Sequence, residues 1–125
     1  FSPANFTTLV LRTDEGVSQG TIDAGIDLTI ANLAIDSDAG VDIDVDVSTL
    51  AINNADAATA IQIDSNSAAL VIGSVTTSTG TIQGIITGGS ATIAGATVLT
   101  VENAITANGA VGLSATNGVT LSGTN

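Results

Sequence analysis

Apolar and polar residues alternate along this chain in short runs, and five of the runs share one pattern: Thr8-Leu9-Val10-Leu11-Arg12, Asn32-Leu33-Ala34-Ile35-Asp36, Thr49-Leu50-Ala51-Ile52-Asn53, Ala69-Leu70-Val71-Ile72-Gly73 and Val98-Leu99-Thr100-Val101-Glu102. A second pattern interleaves with it, a small residue followed by two apolar residues spaced two apart: Gly25-Ile26-Asp27-Leu28, Gly40-Val41-Asp42-Ile43, Ala60-Ile61-Gln62-Ile63, Gly109-Ala110-Val111-Gly112-Leu113 and Gly118-Val119-Thr120-Leu121. Alternation at a period of two is the mark of a strand with one buried face. Self-similarity at a period of roughly 20 residues marks stacked β-coils, none of which can bury its apolar face without its neighbours. The expected fold is therefore all-β, a right-handed parallel β-helix (β-solenoid) of about five to six coils. Its leucines at 9, 33, 50, 70 and 99 should stack directly on successive coils.

The alternative is an antiparallel β-sandwich, a filament subunit completed by a donor strand from its neighbour. Glycine and Asn/Ser/Thr clusters at 38–40, 53–56, 66–67, 88–90, 108–109 and 117–118 supply the turns. Segment 55–60 lacks a repeating apolar stripe and reads as a corner. The motif leucines are 24, 17, 20 and 29 residues apart. The longest gap holds 76–89, a Thr/Gly-rich insertion read as an extra strand or protruding loop on one face of the solenoid. No linker stands out, so residues 1–125 form a single solenoid segment that can be one unit of a longer array.

Composition sharpens this picture. Aromatics are limited to Phe1 and Phe6, so the core is built from Ile, Val, Leu and Ala, as suits a narrow coil with side chains stacked in columns. Mean hydropathy is positive, yet the longest strongly apolar stretch, 68–75, falls far short of the roughly 20 residues of a spanning helix. Membrane insertion is not expected. The chain lacks an initiator Met and a signal-peptide pattern, and is read as a processed product or part of something larger.

Histidine, cysteine and lysine are absent. That removes the usual general base near neutral pH, the thiolate nucleophile and the Schiff-base amine, and with them disulfides. Paired carboxylates on a β-helix can cleave polysaccharides, but one Arg and no Trp or Tyr leave such a site without charge stabilisation or a stacking platform. No enzymatic activity, catalytic residue or cofactor is expected. Gly84, Gly88 and Gly89 are turn glycines, since no GKS or GKT follows them. Asn5-Phe6-Thr7 fits a glycosylation sequon, a pattern short enough to arise by chance.

Charge is the remaining candidate chemistry. Twelve acidic residues face the single Arg12, a formal net charge of −11, which opposes binding to nucleic acid or anionic membranes. Every acidic residue except Glu102 lies at or before Asp64. Asp42, Asp44 and Asp46 alternate with apolar residues and should point outward from one strand, about 7 Å apart. Steps of one coil lead from Asp23 to Asp44 to Asp64, and from Asp36 to Asp56. Stacking would place such carboxylates about 4.8 Å apart, where repulsion approaches ~1 kcal/mol per pair even in water. Asp23, Asp42, Asp44, Asp46 and Asp64 are thus candidate Ca²⁺ ligands, against the alternative of solvated, ion-screened carboxylates; neither the EF-hand nor the glycine-rich nonapeptide spacing is present.

The opening stretch 5–19, Asn-Phe-Thr-Thr-Leu-Val-Leu-Arg-Thr-Asp-Glu-Gly-Val-Ser-Gln, and the closing stretch 111–123, Val-Gly-Leu-Ser-Ala-Thr-Asn-Gly-Val-Thr-Leu-Ser-Gly, resemble large secreted bacterial repeat proteins of the filamentous-haemagglutinin-like and autotransporter-type β-helix family. The resemblance runs loosely along the whole chain, through recurrent strands and Asn-Gly turns. It implies a right-handed parallel β-helix at the cell exterior, used as a stalk, fibre or adhesive surface. The corresponding expectation is a structural extracellular protein that forms a fibre, sheath or adhesin stalk by end-to-end stacking, with copies of itself or adjacent repeats as partners. The second reading is a glycan- or receptor-binding module of a surface adhesin, with 76–89 as contact loop.

Overall fold

A computed structural model describes residues 6–14, 17–18, 28–54 and 58–122. Among them are fourteen strands and no helix. The first six are β1 (Thr8–Thr13), β2 (Val17–Ser18), β3 (Leu28–Ser37), β4 (Val41–Asn54), β5 (Ile61–Ser65) and β6 (Ala69–Ile72). Then come β7 (Ser74–Thr77), β8 (Gly80–Gln83), β9 (Ile85–Thr87), β10 (Ala91–Ala94), β11 (Val98–Val101), β12 (Ile105–Ala107), β13 (Val111–Leu113) and β14 (Val119–Leu121).

Every pairing except β7 with β8 is parallel, which excludes the antiparallel sandwich. One side of the coil is the ladder β2, β4, β5, β10, β13. The opposite side starts as β1, β3 and the second half of β4. It continues as two shorter ladders, β6, β11, β14 and β9, β12. The result is a β-solenoid of about five turns, consistent with the expected right-handed β-helix.

The core is a set of columns, each residue stacked on its counterpart one coil away. Leu9, Leu33, Leu50, Ile72, Val101 and Leu121 form one; Leu11, Ile35, Ile52, Ile85 and Ile105 form the next. Across the interior, Val41, Ile61 and Ala91 lead to Val111, and Ile43, Ile63 and Ile93 to Leu113. Columns of Ile, Leu and Val on parallel ladders are what the alternation predicts: the pleat sends every second side chain inward.

The leucine register holds from Leu9 to Leu33 to Leu50 and again from Leu70 to Leu99, but breaks once, between Leu50 and Leu70. Leu50 pairs with Ile72, not Leu70; Leu70 pairs with Leu99, which pairs with Val119. The cause is the corner at 66–68. In the third coil β4 runs unbroken through this region, whereas in the fourth the chain turns, and Ser67 Oγ bonds both Val47 O (2.7 Å) and Val47 N–H (2.8 Å). Two more residues separate Ile61 from Ile72 than separate Val41 from Leu50. A slip of two preserves the alternation, so Leu70 remains fully buried under a different neighbour.

The insertion supplies extra strands, one of its two expected forms, and not a protruding loop. In the second and third coils one residue, Ala34 or Ala51, lies between the two column residues. In the fourth, β7, a two-residue turn and β8 are inserted between Ile72 and Ile85, and Gly84 N–H closes the base on Gly73 O at 2.7 Å. The hairpin does not protrude. Val75 and Ile82 pack on Ala34, Ala51 and Val10 over the outer side of the sheet, and Arg12 Nη2 donates to Thr77 Oγ1 at 3.2 Å. Small residues at 34 and 51 let the hairpin lie flat there. The rest of the Thr/Gly-rich segment is regular coil, β9.

Buried polar side chains form the corner beyond β4 and β9. Asn54 stacks on Thr87, accepts from Gly40 N–H at 3.1 Å and donates to Thr59 O and Thr87 Oγ1. Thr87 Oγ1 in turn accepts from Gly89 N–H. These side chains satisfy backbone groups where the ladder stops, and among the described residues no buried side-chain polar atom lacks a partner.

Candidate functional site

The acidic face is built by β4 and β5. Asp42, Asp44 and Asp64 are exposed and Asp46 half-buried, all on the outward positions of strands whose inward residues are Val41, Ile43, Val45, Val47, Ile61 and Ile63. The ladder places Asp44 beside Asp64, Asp42 beside Gln62 and Asp46 beside Thr29. Asp23 lies outside the described residues. Asp36 is not followed by Asp56 in its ladder: its neighbour is Asn53, whose Nδ2 donates to Asp36 Oδ1 at 2.8 Å. The register there is set by the 17-residue step between the motif leucines, not by 20; Asp56 itself lies outside the described residues. On its other side Asp36 Oδ2 is 3.9 Å from Arg12 Nε.

Among the described residues no group of three or more acidic side chains is placed to hold a metal ion. Asp44 and Asp64 form a like-charged pair, which ions in solution can screen. The expected outcome is that Na⁺ and Ca²⁺ at matched ionic strength raise the melting temperature equally, because screening ignores ion identity. An excess stabilisation by Ca²⁺ that Asp44→Asn abolishes would contradict it, since only a bound ion stabilises by mass action.

The solenoid's last rung is the second feature. Val111 is 46% exposed, Val119 38% and Leu121 68%, although their column mates Ala91, Leu99 and Val101 are at most 2% exposed. These side chains belong to the interior columns and are open because no described residue stacks on them.

The third feature is a groove beside the hairpin. One depression of about 370 Å³ is lined by Asn53, Thr81, Ile82, Gln83 and Ile86. A second of about 280 Å³ is lined by Gln83, Ile86, Asn103, Ala104 and Thr106. They share Gln83 and Ile86. The floor is the outward ladder Asn53, Ile86, Thr106; β8 and Asn103-Ala104 of the next coil border it. Sequence reasoning missed this groove, but Ile85-Ile86 carried a signal: two adjacent apolar residues in a strand cannot both face inward. Ile85 is fully buried and Ile86 is 41% exposed. No protein-family model, curated protein or solved structure matches this chain.

Proposed function

We propose that this chain is a structural segment of an extracellular or cell-surface fibre, sheath or stalk, built by stacking solenoid units end to end and carrying no catalytic role or cofactor. The observation that carries this reading is the open last rung. Val111, Val119 and Leu121 continue the core columns, and among the described residues β13 and β14 each pair with one strand only, leaving their other edge without a ladder partner. An apolar column ending at a strand edge is a template for one more coil. A coil from the next unit would bury the columns and pair the edge in one step. The contact is heterologous, top to bottom, and generates an open filament unless rotation closes a ring. It brings the nearly neutral C-terminal half against the acidic half of the next copy. A stalk of this kind is what the resemblance to filamentous-haemagglutinin-like repeat proteins implies.

The test is assembly of purified protein followed by sedimentation and negative-stain microscopy, with the Val119→Asp/Leu121→Asp double variant alongside. Both side chains are exposed, so the variant should fold, while two carboxylates in the columns would have to be buried on stacking. Long unbranched fibres for the parent and dispersed particles for the variant are expected. Equal assembly of the two would refute end-to-end stacking.

A further inference from the structure

We infer that the groove beside the hairpin is a binding site for a neutral oligosaccharide, with Gln83 and Ile86 at its centre. Three observations carry this. First, the lining is uncharged: amides from Asn53, Gln83 and Asn103 and hydroxyls from Thr81 and Thr106 surround the exposed side chain of Ile86, with Ile82 and Ala104 beside it. Amides and hydroxyls that each donate and accept, set around an apolar platform, match a sugar ring's hydroxyl rim and C–H face. Second, the side chains of Gln83, Asn103 and Thr106 are engaged by no other described residue, so their hydrogen-bonding groups are available to a ligand.

Third, the backbone at the base of the hairpin, beside the groove, is already used. Ile52 N–H donates to Gly84 O, Gly84 N–H to Gly73 O, Ile85 N–H to Ala104 O and Asn103 N–H to Ile72 O. Strand addition by an extended peptide requires a free edge; those four groups offer none, whereas the outer edges of β8 and β12 pair with no other described strand, so an extended peptide is one arm of the test below. The net charge of −11 opposes an anionic sugar. The two depressions are at or near the lower end of ligand-pocket size, roughly 300–1,000 Å³, and the floor extends over three rungs spaced about 4.8 Å apart. This suits a short linear chain lying along the solenoid axis. The site gives the contact-loop reading of the insertion a location, at the base of the hairpin rather than its tip, and is independent of fibre formation.

The experiment is a titration of the ¹⁵N-labelled protein with neutral linear tetrasaccharides of glucose, mannose, galactose and N-acetylglucosamine, a uronic-acid tetrasaccharide, and an uncharged extended peptide. At least one neutral sugar should shift the side-chain amide signals of Asn53, Gln83 and Asn103 at millimolar concentration. Gln83→Ala and Ile86→Ser should each weaken that binding about tenfold. The melting temperature should be unchanged by either, and Asn117→Ala, on a distant turn, should bind normally. The inference is overturned if no neutral sugar shifts these amides, if the uronic-acid chain binds as tightly, if only the peptide binds, or if the two groove variants bind as the parent does.

Discussion

Leu50→Ala is expected to lower the free energy of unfolding by about 2–5 kcal/mol, the range for truncating a fully buried leucine. Leu50 is 0% exposed and stacks between Leu33 and Ile72. The columns on either side hold residues that are themselves fully buried, and ladder hydrogen bonds fix the rungs above and below. The vacated space therefore cannot close by a shift of one coil without breaking its pairing. Leu121→Ala, at 68% exposure in the same column, should cost less than about 0.5 kcal/mol in the dispersed chain. Urea unfolding followed by circular dichroism distinguishes the two; a loss below half a kcal/mol at Leu50 would remove it from the core.

Gly84→Ala should be about as damaging, for a reason of backbone rather than packing. Gly84 has φ +64°, and a Cβ built there runs into the carbonyl oxygen of Ala104. It also closes the hairpin, with its N–H bonded to Gly73 O and its carbonyl accepting from Ile52 N–H. An alanine must therefore move the hairpin base off β4 or push away the next coil, with an expected cost of about 2–3 kcal/mol or more. Gly80 is the control. Its φ is +143°, but nothing lies within 4 Å of a Cβ added there, so Gly80→Ala meets the backbone cost alone. Equal losses at the two positions would show that the close approach of residue 104 to the hairpin base is wrong.

Much of the fold was legible because a solenoid repeats one local rule. The pleat demands alternation, the stack demands that every coil show it, and 41–47 or 61–65 could bury only one face. Stacking partners were less legible. A strand's inward face survives a slip of two residues, so the motif placed Leu70 in the core correctly, while its expected stacking of Leu50 on Leu70 was wrong: Leu50 sits on Ile72. The choice was made by the Ser67 corner, whose hydroxyl binds both backbone groups of Val47. The same limit applies to the acidic face. Asp44 beside Asp64 follows from a 20-residue step, whereas Asp36 falls in a 17-residue step and meets Asn53.

The hairpin was visible only as extra length. Its lying flat depends on a long-range fit between Val75, Ile82 and the two alanines, neither of which breaks the motif. The groove depends on that placement in turn. Only the Ile85-Ile86 doublet marked it locally, as a strand position where an apolar side chain has to face outward.

The most direct test of the stacking account is helical reconstruction of the fibres by electron cryo-microscopy. The account predicts parallel rungs running without interruption across each junction at about 4.8 Å spacing, with the column ending at Leu121 of one copy continuing into the column beginning at Leu9 of the next. Copies joined through their sides about a twofold axis, or a chain that stays a dispersed monomer at high concentration, would contradict it.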